Sequence, residues 1–180
     1  MLLSVEAWHQ MVGHHLSSAR AELLRGVIVQ KTPRSILHIK LASELFALLF
    51  TILGSRYWVR QEAPLTLGDS EPEPDISIVT GSARQYLQHP QTAKLVVEVS
   101  VSTLSEDREM ATIYAGGGVE EYWIINATDR CIEVHREPTA GIYARRQIFS
   151  QDDTVVCQSL PSVEVEVRRL FECVTPPPSR

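Results

Sequence analysis

Two acidic residues stand where an apolar strand would place hydrophobic ones. Glu98 lies inside Leu95-Val96-Val97-Glu98-Val99, and Asp75 opens Ile76-Ser77-Ile78-Val79 directly after Glu73-Pro74. A carboxylate is costly to bury unless it is paired or holds a cation. Side chains alternate faces along a strand. Lys94, Val96, Glu98 and Ser100 therefore share one face, and Asp75 and Ser77 turn away from Ile76 and Ile78. If the two strands pair, Asp75 and Glu98 converge at one sheet edge. The bland alternative is a pair of strand-end acids facing water. The position of Glu98 within the apolar run argues against it.

Composition sets the bounds. A chain of 180 residues with 44% hydrophobic and 22% charged residues supports one domain with one core. Residues 1–175 are expected to form that domain, with a disordered proline-rich tail at 176–180. Three cysteines, Cys131, Cys157 and Cys173, show no Cys-x-x-Cys spacing. They suggest a reducing, cytoplasmic setting and no cysteine zinc site. No basic-then-apolar signal opens the chain. The apolar run from Leu41 to Leu53 is short and carries Glu44, so no membrane span is expected.

The net charge of −5 weighs against tight, unassisted binding of DNA. It is unevenly spread. Residues 1–60 hold seven basic residues (Arg20, Arg25, Lys31, Arg34, Lys40, Arg56, Arg60) and three acids (Glu6, Glu22, Glu44). Any face that meets a polyanion is expected to draw on this third. Solvated charge on a helical face is the plain alternative.

Ser4 to His15 reads as a short helix capped by Ser4. Glu22 to Val29 reads as a hairpin turning at Arg25-Gly26. Leu37, Leu41, Leu45, Leu48, Leu49 and Ile52 recur at helical spacing, which predicts an amphipathic helix from Ser35 to Leu53, stopped by Gly54. Its stripe Leu37, Leu41, Leu45, Leu48 and Ile52 is expected to pack on the sheet. Tyr57 to Gln61 predicts a strand, and Ala83 to Gln88 a short helix. After the Glu98 strand, Ser102 or Thr103 is expected to cap a helix to about Ala115, with Glu106 three residues after Thr103 as in a capping box, and Gly116-Gly117-Gly118 to end it. Glu121 to Ile125, Cys131 to His135, Tyr143 to Phe149 and Val163 to Val167 predict further strands. The expected fold is α/β or α+β around one mixed sheet.

Two carboxylates on neighbouring strands suit a hard cation with oxygen ligands, magnesium or manganese. Such a centre points to phosphodiester hydrolysis, in which a carboxylate-held metal activates water and stabilises developing charge.

Longer matches narrow this reading. Ala21 to Val29, His38, Pro74-Asp75, Leu95 to Leu104, Asp107-Arg108, Tyr114-Ala115, and Gly118-Val119 with Glu121-Tyr122-Trp123-Ile124-Ile125-Asn126 together resemble the Uma-two family, a branch of the PD-(D/E)XK nuclease superfamily. The glycine-valine-x-glutamate-tyrosine-tryptophan run is the most distinctive of these. The resemblance covers nearly the whole chain. It implies a restriction endonuclease-like mixed sheet flanked by helices, and an active site on Glu22, Asp75 and Glu98. Asp75 and Glu98 would hold the metal, and Glu22 would assist. Taken by itself, Glu22 is equally a surface hairpin residue. The family likeness also puts His38 near the site, while its own position reads as a polar helix start.

One departure stands out. The superfamily places a lysine two residues after the second acid, and this chain has Ser100 there. Family members commonly carry a lysine on the following helix instead, but Asp107 to Tyr114 contains none. That lysine would orient water or stabilise phosphorane charge. Ser100 or Arg108 would occupy part of its place, although arginine is a poor base. Lys94 shares the Glu98 face but stands roughly 13 Å along the strand.

The other motifs point nowhere sharper. His9, His14, His15, His38, His89 and His135 form no His-Glu-x-x-His motif. The three glycines follow a helix rather than a strand, which makes a helix stop and not a phosphate loop. Tyr122 and Trp123 could stack on bases but more commonly pack a core. The expected function is metal-dependent cleavage of DNA by a homodimer, weakened by the lost lysine. The rivals are a nuclease fold kept only for binding, and a phosphoesterase acting on a smaller substrate.

Overall fold

The computed structural model describes residues 2–14 and 21–174. His15 and the 176–180 tail lie outside them. Helix α1, Val5–Gly13, is capped by Ser4, whose hydroxyl accepts from the Ala7 N–H. Strands β1 (Ala21–Leu24) and β2 (Val27–Gln30) form the expected hairpin. Arg25 and Gly26 both have positive φ, 50° and 73°, as a two-residue hairpin turn requires. Any side chain at Gly26 would also meet Leu2 and Leu3 at 2.9 Å.

Helix α2, Ile36–Leu53, begins at Ser35, whose hydroxyl accepts from the His38 N–H, and ends at Gly54. Its length and composition would suffice to cross a membrane, but Leu41, Ala42, Leu45, Leu49 and Leu53 are buried within the protein. The buried stripe is therefore a series of every fourth residue. Leu37 and Leu48, expected to pack, are instead 39% and 38% exposed. The helix is apolar on more than one side, so periodicity alone did not say which side meets the sheet.

Six strands form the central sheet: β3 (Tyr57–Gln61), β4 (Ile76–Thr80), β5 (Leu95–Ser100), β6 (Glu121–Asn126), β7 (Cys131–Thr139) and β8 (Ile142–Phe149). They lie in sequence order. All neighbours are antiparallel except β5 and β6, which run parallel. A parallel step needs a crossover, and α3 (Leu104–Gly116) supplies it. Strands β9 (Thr154–Val156) and β10 (Glu164–Glu166) form a small ribbon leading into α4 (Val167–Glu172).

Each sheet face has its own core. Ile76, Ile78, Leu95, Val97 and Val99 pack with Leu41, Leu45 and Leu49 of α2 and with Leu170 and Phe171 of α4. Val79, Val96, Tyr122 and Ile124 pack on the other face with Tyr114 of α3. The strand faces thus alternate as expected, and Glu98 shares the α3 face with Val96. Tyr122 and Trp123 are fully buried core residues.

Three local expectations are corrected. Thr103 makes no side-chain cap to α3; its hydroxyl donates to Asp107 Oδ2 at 2.8 Å instead. The helix expected at Ala83 to Gln88 is a single 3-10 turn, Ala83–Gln85. Val167, expected in a strand, starts α4. Cys131, Cys157 and Cys173 are all free thiols, the first two buried.

Candidate active site

A cleft of about 530 Å³ opens between the β1–β2 hairpin, the start of α2, the ends of β4 and β5, and α3. Asp75, Glu98 and Glu22 line it together, with His38, Arg34 and Lys31. Asp75 and Glu98 therefore belong to one site. Strands β4 and β5 pair with Ile76 opposite Val97, which brings the two acids side by side at the strand ends.

Each carboxylate is held by groups from elsewhere in the chain. The Asp75 N–H donates to Glu98 Oε2 at 3.1 Å, and the Val99 N–H donates to Asp75 Oδ2 at 2.8 Å. The side chains thus occupy positions that ladder hydrogen bonds would otherwise take. His38 Nε2 lies 2.9 Å from Asp75 Oδ2, and Arg34 Nη2 lies 3.1 Å from Asp75 Oδ1. Arg34 also pairs with Glu62. Tyr114 donates its hydroxyl to Glu98 Oε1 at 2.6 Å.

These partners drive the two acids apart. Burial pushes Asp75 up, but the His38 hydrogen bond and charge, the Val99 N–H and Arg34 together hold it below the usual aspartate range. Burial pushes Glu98 well above the usual glutamate range, and the charges of Asp75 and Asp107 add to the rise. The Tyr114 and Asp75 donors oppose it without cancelling it. Burial also lifts Asp107 to about 6, against hydrogen bonds from Thr103 and Ser100. Negative charge is thus left undercompensated on the Glu98 and Asp107 side, which is the condition a bound cation relieves.

Glu22 accepts from the Glu73 N–H at 3.0 Å. Lys31 donates to the Glu73 carbonyl at 2.7 Å and stands 3.6 Å from Glu22 Oε2. The two residues named for the missing lysine's place lie otherwise. Ser100 is buried against Asp107. Arg108 reaches away from the cleft and forks onto Glu133, at 3.1 Å to Oε2 and 2.5 Å to Oε1. Arg146 joins the same buried carboxylate at 2.7 Å.

Among the described residues, no group of three or more His, Cys, Asp or Glu side chains converges to hold a metal ion. Two carboxylates nonetheless fit magnesium, which keeps several waters and takes one or two protein carboxylates with substrate phosphates. The sequence points to His38 but not to Arg34, Lys31 or Tyr114 as partners of the acids. The basic surplus of the N-terminal third is the signal for Arg34 and Lys31, and Tyr114 stands only within the family-like Tyr114-Ala115 pair.

The chain matches the family model Uma2, described as "Putative restriction endonuclease", over residues 5–168. No curated protein matches it. Among solved structures it is similar to a "putative nuclease belonging to DUF820" from Anabaena variabilis ATCC 29413. The TM-score is 0.82 at 16% identity, covering 96% of this chain and 99% of that one. A likeness at that identity speaks for the fold.

Proposed function

The chain belongs to the Uma2 family, and from that membership and the paired carboxylates of the cleft we propose that it is a magnesium- or manganese-dependent endonuclease hydrolysing DNA phosphodiester bonds. The observation that carries this reading is the adjacency of Asp75 and Glu98, whose carboxylates accept from the Val99 and Asp75 N–H groups and offer two hard oxygen donors at one mouth. Asp75 and Glu98 would hold the metal, and Glu22 would assist from the hairpin. The bound ion would supply an activated water and neutralise charge on the phosphate.

The chain's own residues do the rest. His38 and Arg34 keep Asp75 ionised and fix its direction. Tyr114 holds Glu98 by its Oε1. Arg25, Lys31 and Arg34 line the cleft, so its cations come from the basic N-terminal third. This supports a polyanionic substrate despite the acidic whole. A homodimer belongs to the same reading, since one acidic chain offers little surface to a duplex; light scattering measures it.

The test is plasmid nicking with magnesium or manganese by the wild type, Asp75→Asn and Glu98→Gln, together with calorimetric titration of manganese. Cleavage and manganese binding lost in both variants, with the fold intact, support the assignment. Cleavage that survives in Glu98→Gln places the chemistry elsewhere. A wild type that binds DNA and cleaves nothing favours a nuclease fold kept for binding.

A further inference from the structure

Neither Ser100 nor the Asp107 to Tyr114 stretch of α3 offers an ammonium to the cleft, yet one stands there. The sequence holds three lysines: Lys31, Lys40 and Lys94. Lys94 pairs with Glu120 at 2.5 Å, at the far end of β5 from Ser100. Lys40 lies on an exposed stretch of α2 and is not among the residues lining the cleft. Lys31 alone lines it with Glu22, Asp75 and Glu98.

Its position is held from three sides. The ammonium donates to the Glu73 carbonyl at 2.7 Å and lies 3.4 Å from Glu73 Oε2 and 3.6 Å from Glu22 Oε2. Glu73 is two residues from Asp75, so Lys31 is anchored to the segment that carries the first acid. Its side chain is 21% exposed and lines the cleft. Neither alternative lines the cleft: Ser100 carries no charge and is buried against Asp107, and Arg108 reaches away to Glu133.

We infer that Lys31, presented by the end of the hairpin rather than by the strand, is the residue that contacts the scissile phosphate and takes the place of the missing lysine. This rests on the reading of the cleft as a phosphodiester-hydrolysing site. In the reaction a water oxygen bonds to phosphorus and the bond from phosphorus to the leaving ester oxygen breaks. The water's proton passes to solvent, and the leaving oxygen takes one up. Lys31 stays protonated throughout. Its charge faces a non-bridging oxygen, where negative charge grows as the fifth bond forms. A lysine acts there as a point charge and needs no bidentate geometry.

The test compares wild type, Lys31→Ala, Lys31→Gln, Lys31→Arg and the exposed control Lys40→Ala. Cleavage is read by plasmid nicking with manganese. Affinity for a short duplex is read across salt concentrations with calcium in place of the catalytic ion. Lys31→Ala should lose about a hundredfold or more in cleavage rate, and its salt slope should fall by roughly one. Lys31→Arg should keep the slope, and Lys40→Ala should change neither reading. Lys31→Gln can still donate to the Glu73 carbonyl without charge, so it carries the test if Lys31→Ala melts early. Wild-type cleavage and slope that persist in Lys31→Gln overturn the inference and leave the endonuclease reading standing. A slope that falls while no variant cleaves keeps the phosphate contact and removes the endonuclease reading. A wild type that does not bind the duplex overturns Lys31 as a phosphate contact.

Discussion

Asp75 and Glu98 are joined through the backbone rather than directly: the Asp75 N–H donates to Glu98 Oε2 at 3.1 Å, while Asp75 Oδ2 accepts from Val99, the residue after Glu98, at 2.8 Å. This exchange fixes both carboxylates without an acid-to-acid hydrogen bond. It leaves their carboxylates close, with Arg34 and His38 gathered on the Asp75 side only.

Glu98 is therefore a group that costs stability when charged. Its folded pKa is raised, so the folded state holds the proton longer than the unfolded chain does. Stability then falls as pH rises beyond the ordinary glutamate range. Glu98→Gln removes that loss, because its amide oxygen can accept from Asp75 while its NH₂ faces the Tyr114 hydroxyl. The variant should melt at a higher temperature than wild type at pH 8 and cleave no plasmid. A lower melting temperature at pH 8 would mean that Glu98 is compensated better than its surroundings imply.

Tyr114 makes the opposite contribution. It is fully buried, and its hydroxyl is bonded to Glu98 Oε1 at 2.6 Å. Tyr114→Phe leaves a buried acceptor unpaired, at about 1 to 3 kcal/mol. It also removes a donor that holds Glu98 down, so the acid limb of the cleavage profile should move to higher pH. Urea unfolding and a pH–rate profile measure the two effects.

Leu45 is fully buried in α2, and Leu48, one turn on, is 38% exposed. Leu45→Ala should cost about 2 to 5 kcal/mol in unfolding free energy. Leu48→Ala should cost clearly less. Equal costs would show that the outer face of α2 is covered in solution.

His135, which does not line the cleft, gives an acid sensitivity of its own. Burial, with Arg146 beside it, lowers its pKa to about 4 from 6.5. Its ring packs beside those of Tyr122 and Tyr143. The unfolded chain binds this proton at higher pH than the folded one, so stability is full above 6.5 and is lost as pH falls toward 4. A shift of this size amounts to about 3 kcal/mol. His135→Phe keeps a ring in place and should flatten the fall in unfolding free energy between pH 7 and 4.5. A parallel fall in both proteins would assign the acid sensitivity to other groups.

Local pattern carried much of this molecule. Ser35 and Gly54 bound α2 as expected, Arg25-Gly26 turns the hairpin, and the alternation through Leu95 to Ser100 puts Glu98 on one face with Val96. The acids at Asp75 and Glu98 announced a polar centre because burial of charge demands partners. The partners themselves were not legible. Arg34 and His38 reach Asp75 from 41 and 37 residues earlier, and Tyr114 reaches Glu98 from the crossover helix. Such meetings depend on strand order and on the direction each side chain leaves its element, which no local propensity encodes. The same cause explains the smaller misses. An apolar helix such as α2 offers several faces, and a short run such as Val163 to Val167 suits a strand or a helix alike. Packing against the sheet chose between them, just as it turned Arg108 to Glu133 and set Lys31 against Glu22 and Glu73.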